Sequence, residues 1–377
     1  MRYYVIAGEA SGDLHGSNLL KELKKSDASA EFRCWGGDLM QAAGGNIVKH
    51  YRELAFMGFV EVLMNIRTIF RNLAFCKKDI EQQQPDALIL IDYPGFNLRI
   101  AEWAKEKGIP VIFYISPQVW AWKENRVKKM KQHIDQMLVI LPFEKDYYQR
   151  RWNWTVEYVG HPLVQVIDEF NPPTPLDTGD NKPVIAILPG SRKQEILKKL
   201  PVMLEVSRFF PDHRFIVAKA PGMENQFYES MLAPFDNVGA VSNQTYALLK
   251  KSVAALVTSG TATLETALFG VPEVVCYKGN AISYSIAKRI INIKYISLVN
   301  LIMDRLVVKE LIQHDMTAEK IRQELQLLLF DETKQAKLKS DYKELKSLLS
   351  LGGPASANAA RLIIDFMQTV TSAKSPA

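Results

Sequence analysis

The sequence predicts an α/β protein of two Rossmann-like halves, each a parallel sheet covered by helices. Short apolar runs rich in β-branched residues recur along the chain, and most are followed by a loop and an amphipathic helix. A stretch with four helix breakers, residues 170–180, separates an earlier series of such runs from a later one. A chain of 377 residues is also too long for a single hydrophobic core, so two domains are expected.

The composition is that of a globular protein, with 47% hydrophobic and 23% charged residues. A strand-like run begins at Arg2 without an export signal, and no apolar run reaches the roughly 18–20 residues of a spanning helix. Cys34, Cys76 and Cys276 have no paired spacing, so we expect no disulfide framework and no metal site. We expect a reducing, cytoplasmic setting. The net charge of +6 favours anionic partners.

The first half places carboxylates directly after two predicted strands. Residues 2–7 form one strand and residues 86–91 another, which ends at Asp92. Because the carboxyl ends of parallel strands share one edge, we expect Glu9 and Asp92 at the same ligand-binding crevice. Asp92 is the candidate general base, although an Asx turn would explain the same residue. The candidate acceptor residues of the first loop are Glu9, Ser11, Gly12 and Asp13, of which Ser11 and Asp13 could equally cap the following helix.

Residues 54–75 combine many large apolar side chains with cations. Two interpretations remain open: a core helix that covers the sheet, or a helix that exposes apolar side chains to lipid beside cations for anionic head groups. Under the second, the membrane residues are Phe56, Met57, Phe59, Met64, Arg67 and Arg71. Farther along, Trp120 and Trp122 form either a ligand wall or ordinary loop packing. The basic helical face of residues 123–131 is either solvated or turned to a membrane.

In the second half, a helix is predicted to begin at the carboxyl end of a strand. The apolar run 253–257 is followed by Gly260, which permits a tight turn, and by Thr261 or Thr263 as a helix cap. A helix N-terminus in that place favours phosphate, because its free N–H groups and its dipole both attract negative charge. The candidate residues for a nucleotide diphosphate are Ser191, Arg192, Ser259, Gly260 and Thr261.

Phosphate-binding groups in one half and carboxylates in the other suggest sugar transfer across a cleft between the halves. No nucleophile–base pair such as G-x-S-x-G with a histidine is evident. His161, which precedes a proline, is the competing base or a structural residue.

The chain resembles the lipid-A-disaccharide synthase family, which consists of inverting glycosyltransferases of the GT-B type. The matching motifs follow one another along nearly the whole chain: AGEASGD (7–13), LAFMGFVEVL (54–63), IDYPGFN (91–97), SPQVWAW (116–122), LPFEK (141–145), VGHPL (159–163), LPGSR (188–192), SGTATLE (259–265), KYISLVNLI (294–302) and VVKELIQ (307–313).

The resemblance implies transfer of diacylated glucosamine from its UDP form to 2,3-diacylglucosamine 1-phosphate, which gives a β-1,6 disaccharide and UDP. It implies no cofactor, no nucleic-acid partner, a peripheral place on the cytoplasmic side of the inner membrane, and a homodimer. The linker at residues 170–180 predicts a first, acceptor domain of residues 1–168 and a second, nucleotide-sugar domain of residues 180–350. A final helix, residues 355–372, is expected to pack back on the first domain.

By the same resemblance, Asp92 matches the family's base, Arg192 its phosphate-facing arginine and Asn300 an asparagine of the interdomain site. Glu310 corresponds to the acidic residue that holds the nucleotide ribose. Val299 stands where the family pattern has proline, which affects the loop before Asn300. Two alternatives remain: an enzyme similar to UDP-N-acetylglucosamine 2-epimerase, and a non-catalytic carrier of nucleotide sugar or lipid.

Overall fold

A computed structural model describes residues 1–54, 66–121, 123–172, 175–220, 223–279 and 294–374. The chain divides into two compact units. The first comprises residues 1–162 and 349–377, and the second comprises residues 163–348. Residues 163–168, expected in the first domain, belong to the second unit, where Lys346 forms an ion pair with Asp168.

The first unit is a parallel sheet of seven strands in the order β3-β2-β1-β4-β5-β6-β7. The strands are β1 (Arg2–Ala7), β2 (Glu31–Gly36), β3 (Asn46–His50), β4 (Ala87–Ile91), β5 (Val111–Tyr114), β6 (Gln136–Val139) and β7 (Glu157–Tyr158). Its helices, numbered along the whole chain, are α1 (Ala10–Ser26), α2 (Asp38–Ala42), α3 (Ile66–Gln83), α4 (Pro94–Glu106), α5 (Arg126–His133), α6 (Pro142–Trp152) and α15 (Ala355–Lys374).

Helices cover both faces of this sheet, which is why β4 reads ALILI and is buried at every position. One core lies between the sheet and helices α3 to α6. The other core lies between the sheet and helices α1, α2 and α15. The last helix contributes Ala359, Ile363 and Met367 to it. Residues 355–374 therefore pack in the first unit although they come last in the chain.

The second unit is a parallel sheet of six strands in the order β10-β9-β8-β11-β12-β13. Its strands are β8 (Val184–Leu188), β9 (Arg214–Lys219), β10 (Val238–Ser242), β11 (Ser252–Thr258), β12 (Glu273–Tyr277) and β13 (Lys309–Ile312). The remaining helices are α7 (Pro162–Asp168), α8 (Lys193–Val206), α9 (Asn225–Leu232), α10 (Thr245–Lys251), α11 (Thr261–Leu268), α12 (Leu298–Met303), α13 (Ala318–Phe330) and α14 (Glu332–Ser350).

In both sheets, the order in which successive strands are added changes direction once. In the first sheet the reversal lies between β1 and β4, and in the second it lies between β8 and β11. The loops that leave the two central strands at such a reversal turn to opposite faces and leave a crevice at the carboxyl edge. The strand order of each unit therefore predicts a ligand site at the carboxyl edge of its sheet, at the point of reversal.

Candidate functional site

The crevice of the first unit brings Glu9 and Asp92 to one edge. Ala7 pairs with Ile91 in the β1–β4 ladder, so the residues that follow the two strands lie side by side. Burial, and secondly the charge of Glu9, raise the pKa of Asp92 to about 6. A carboxylate with this pKa is ionised near neutral pH and is a stronger base than an ordinary aspartate.

The backbone at Asp92 is held in a left-handed conformation, with φ of 44° there and 49° at Tyr93. The buried Asn97 stabilises this turn, because its side-chain amide donates to the carbonyl oxygen of Asp92 at 2.7 Å. Gly8 is required opposite, since a Cβ there would lie 2.4 Å from the ring of Tyr93. The strained turn is thus supported from two sides.

The four residues predicted for the first loop have different surroundings. Glu9 is half-buried at the start of α1, and Ser11 is exposed. Gly12 is buried beside Ala7. Asp13 is also buried, and its carboxylate accepts hydrogen bonds from the backbone N–H groups of Gly37, Leu39 and Met40. Asp13 was predicted at the acceptor site, but it holds the turn between β2 and α2.

A second buried carboxylate, Glu144, was not predicted from the sequence. It lies at the start of α6 and accepts hydrogen bonds from the backbone N–H of Leu141 and the indole of Trp120, at 3.0 and 3.1 Å. Burial raises its pKa to about 7. Glu144 therefore fixes Trp120 of the SPQVWAW loop at the same edge of the sheet as Asp92. A glutamate at the third position of a helix led by a proline was the available sequence signal.

His161, the competing base, is 4% exposed. Burial, and secondly the nearby His15, lower its pKa to about 3. His15 on α1 is also buried, with a pKa of about 4 for the same reason of burial. Both imidazoles are therefore neutral at physiological pH and enclosed by protein, which favours a structural role.

The second unit has a cavity of about 300 Å³ at the carboxyl ends of β8, β9 and β11. Helix α11 begins at this cavity with Gly260, whose φ of 144° suits glycine, as its N-cap. The predicted threonine cap is wrong, because no side chain caps the helix and the Thr263 hydroxyl donates back to the Gly260 carbonyl. Four of the predicted phosphate residues line the cavity: Ser191, Ser259, Gly260 and Thr261.

Arg192 lies just outside this lining, exposed at the N-terminus of α8. Its guanidinium is 3.5 Å from the carboxylate of Glu195, which does line the cavity. The same carboxylate lies 3.5 Å from the ammonium of Lys199, a side chain that is almost entirely buried. Burial lowers the pKa of Lys199. This chain of three charges was not predicted, since only the tertiary structure shows that Lys199 points inward.

Glu265 also lines the cavity, and the hydroxyl of Tyr246 donates to it at 2.7 Å. Burial raises the pKa of Glu265. It lies one helical turn from Thr261, at the end of the SGTATLE motif. The structure therefore places Glu265, and not the predicted Glu310, among the residues that line this cavity.

Glu310 and Asn300 form a separate bonded group. The carboxylate of Glu310 accepts from the backbone of Ile296 and Ser297 and from the side chain of Asn300. The Asn300 oxygen accepts from Val307 and Val308, its amide also donates to Val308, and the side chain is fully buried. Asn300 was predicted to contact substrate, but its bonds are satisfied by protein, so it holds the loop around α12.

The predicted membrane residues Phe56, Met57, Phe59 and Met64 lie outside the described residues. Arg67 and Arg71 are exposed on α3, and so are the side chains of Phe70 and Phe75, by 59% and 45%. No helix within the described ranges is apolar over a length that could cross a bilayer. Those ranges also contain no cluster of three potential metal-ligand side chains.

Comparison with known proteins supports the family resemblance that the motifs indicate. Residues 3–364 match the family described as lipid-A-disaccharide synthetase. The chain is 37% identical over 361 residues to the lipid-A-disaccharide synthase of Syntrophus aciditrophicus, a match that covers 93% of this chain and 94% of that protein.

Two solved structures show similarity of fold alone. A putative UDP-N-acetylglucosamine 2-epimerase from Listeria monocytogenes has a TM-score of 0.64 at 12% identity and covers 99% of this chain and 97% of its own. The glycotransferase of kitacinnamycin has a TM-score of 0.66 at 14% identity, with 97% and 99% covered. With the two parallel sheets, these neighbours confirm the predicted two-domain Rossmann-like fold of the GT-B type.

Proposed function

Because the chain belongs to the lipid-A-disaccharide synthase family, a family of glycosyltransferases that form the lipid A disaccharide, we propose that it catalyses this transfer with Asp92 as general base. The donor is UDP-2,3-diacylglucosamine and the acceptor is 2,3-diacylglucosamine 1-phosphate. The products are the β-1,6-linked disaccharide 1-phosphate and UDP. The observation that carries the proposal is the position of the half-buried Asp92 directly after β4, at the edge where Ala7 of β1 pairs with Ile91. Partial burial and the charge of Glu9 raise its pKa to about 6 there.

The reaction is a single displacement. The acceptor hydroxyl oxygen attacks the anomeric carbon of the donor sugar, its proton passes to the carboxylate of Asp92, and the bond to the UDP oxygen breaks on the opposite face. An alcohol is a weak nucleophile until its proton is removed, so the basicity of the carboxylate sets the rate. Glu9, which raises the pKa of Asp92, and the exposed Ser11 are suited to hydrogen-bond the acceptor.

UDP is proposed to bind the cavity of the second unit. The N-terminus of α11 offers free N–H groups and a positive dipole to the diphosphate, with the hydroxyls of Ser191, Ser259 and Thr261 around it. Arg192 is close enough to Glu195, a lining residue, to reach a bound phosphate by a change of rotamer. The carboxylate of Glu265 is suited to accept hydrogen bonds from ribose hydroxyls, a role that the family resemblance implied for Glu310.

The first unit is proposed to meet the cytoplasmic surface of the inner membrane through α3. The support is the combination of exposed Phe70 and Phe75 with exposed Arg67 and Arg71, together with the lipid character of the substrates. Replacing both phenylalanines by serine is expected to weaken binding to anionic vesicles and to leave binding of UDP unchanged.

The dimer that the resemblance implies is likewise a proposal. Light scattering tests it, because a dimer has twice the chain mass of 42.7 kDa.

One assay tests the function. The protein is incubated with the UDP-linked donor and the phosphorylated lipid acceptor, and both UDP and disaccharide are measured. Equal amounts of the two products are expected. Binding of the donor without release of UDP would indicate a carrier, and a changed sugar released without acceptor would indicate an epimerase.

A further inference from the structure

A groove between α4 and α5 begins beside the proposed base. It has a volume of about 290 Å³ and is lined at one end by Pro94 and Gly95, two and three residues after Asp92. From there it follows both helices as far as His133 and Ile134. This end of the groove is therefore formed by the residues that directly follow the turn at Asp92 and Tyr93.

The floor of the groove is apolar. Ala101 of α4, Met130 of α5 and Ile134, the residue after α5, are buried beneath it. Leu98 is half-buried at its side. These side chains belong to the core that α3 to α6 form on this face of the sheet, so the floor is fixed by packing. A fixed apolar floor suits a hydrocarbon chain.

The rim of the groove is cationic. It carries Arg99 on α4 and both Arg126 and Lys129 on α5, against a single acid, Glu102. Glu102 is already paired with Lys129 at 3.3 Å. Within the described ranges, the guanidinium groups of Arg99 and Arg126 take part in no ion pair and no hydrogen bond, although the backbone N–H of Arg126 donates to the carbonyl oxygen of Lys123. The two walls of the groove therefore each carry a guanidinium group that is available for an anion, and guanidinium matches the geometry of phosphate.

A merely solvated basic face would explain these cations less well. Lys131, five residues after Arg126 on the same helix, turns away and donates to the carbonyl oxygens of Trp152 and Asn153. Arg126 and Lys129 of that helix instead line the groove over its apolar floor. Charge and hydrophobicity thus coincide in the groove.

We propose that this groove binds the lipid acceptor, with one acyl chain on the floor and the phosphate between Arg99 and Arg126. The inference rests on the proposed function, since it identifies where the acceptor of that reaction extends from Asp92. It makes the groove a determinant of acceptor specificity, for both the phosphate and the chain length.

The first test removes the two arginines. Arg99→Gln/Arg126→Gln is expected to raise the KM for the phosphorylated acceptor about tenfold or more, with kcat and the donor KM within about threefold of the parent. An acceptor without phosphate should show no such difference. The matched control, Lys21→Gln/Lys339→Gln, removes two charges from exposed positions elsewhere and should behave as the parent does. An acceptor KM equal to that of the control overturns the proposal.

The second test addresses the floor. In the parent, shortening the acyl chain should raise the acceptor KM roughly three- to fourfold per methylene withdrawn from the groove. Leu98→Ser should flatten this dependence, whereas Leu327→Ser, a substitution of an exposed leucine in the second unit, should not. An unchanged dependence in Leu98→Ser contradicts the placement of the chain.

Assays in anionic vesicles and in neutral detergent micelles distinguish binding of the acceptor phosphate from binding of membrane head groups. If the arginine effect appears with vesicles of anionic lipid and vanishes in neutral detergent micelles, the pair binds membrane head groups and the proposal is wrong. If the parent forms no disaccharide at all, the proposed function fails. The proposal that the groove binds the acceptor is then still tested by equilibrium binding of the phosphorylated acceptor to the parent and to the arginine variant.

Discussion

Asn97 donates its side-chain amide to the backbone carbonyl oxygen of Asp92 at 2.7 Å, from a fully buried position in the first turn of α4. The same amide lies within 3.4 Å of the carbonyl oxygens of Ile91 and Ile6. The end of β4, the left-handed turn after it and the neighbouring strand β1 are therefore joined through one side chain. The position of the proposed base therefore depends on the hydrogen bonds of Asn97.

Asn97→Ala is expected to destabilise the fold by about 1–3 kcal/mol, because it leaves buried carbonyl groups without a donor. It should also lower kcat, since the turn at Asp92 loses its support. Urea denaturation and steady-state rates measure the two effects. Asn358→Ala is the matched control, because that amide donates to Val159 at 3.2 Å far from Asp92 in the chain. The control should lose stability and keep kcat; equal losses of kcat in both variants would contradict the role of Asn97.

Asp92→Asn should lower kcat by ~10²–10⁴-fold and leave both substrate affinities largely unchanged, because the shape is kept and the basicity is lost. His161→Gln, which removes the competing base, should cost far less in rate if it folds. Single-turnover measurements give the chemical step directly. Turnover of Asp92→Asn within a few-fold of the parent would place the base elsewhere.

The pH dependence should report the environment of Asp92. A base must be deprotonated to act, so kcat is expected to rise as the pH increases through about 6, the pKa of this group. Glu9→Gln removes the second cause of the raised pKa, and the midpoint should move to lower pH. The shift should be partial, because burial is the larger cause. An unmoved midpoint would mean that the titrating group is not beside Glu9.

The same raised pKa carries a cost in stability. The pKa of Asp92 is about 6 in the fold against an ordinary value of 3.8, so the folded state disfavours the ionised form. This destabilising contribution grows as the pH rises between those two values and is complete above about pH 6. Asp92→Asn removes it. The variant should therefore be more stable than the parent at about pH 8, with the advantage shrinking as the pH falls to about 4.

Binding of UDP should depend on Arg192 and Glu265. Arg192→Ala is expected to weaken it by about 1.5–3 kcal/mol if the guanidinium bonds the diphosphate, whereas Arg208→Ala, paired with Glu205 on the surface, should not. Glu265→Gln should weaken binding of UDP more than that of inorganic diphosphate, which lacks the ribose. Glu310→Gln should mainly destabilise the loop near α12. Calorimetry distinguishes these cases, and an unchanged affinity in Arg192→Ala would contradict its assignment.

The sequence by itself determined the elements and the strand-end residues. Apolar runs such as ALILI and VIAIL indicate strands buried on both faces, and the residue that follows such a run lies at the carboxyl edge of its sheet. The location of Asp92 after β4 and of Gly260 after β11 could therefore be predicted. These are local properties of the chain, set by periodicity and by turn residues.

Only the tertiary structure decided which polar side chains face a ligand. Glu265 and Glu310 are both glutamates in the second unit, yet one lines the cavity and the other bonds Ile296, Ser297 and Asn300. Asp13 is similarly taken up by the turn before α2. Whether a carboxylate is free or satisfied depends on donors supplied by other elements, and packing brings those donors together. Sequence periodicity carries no information about them.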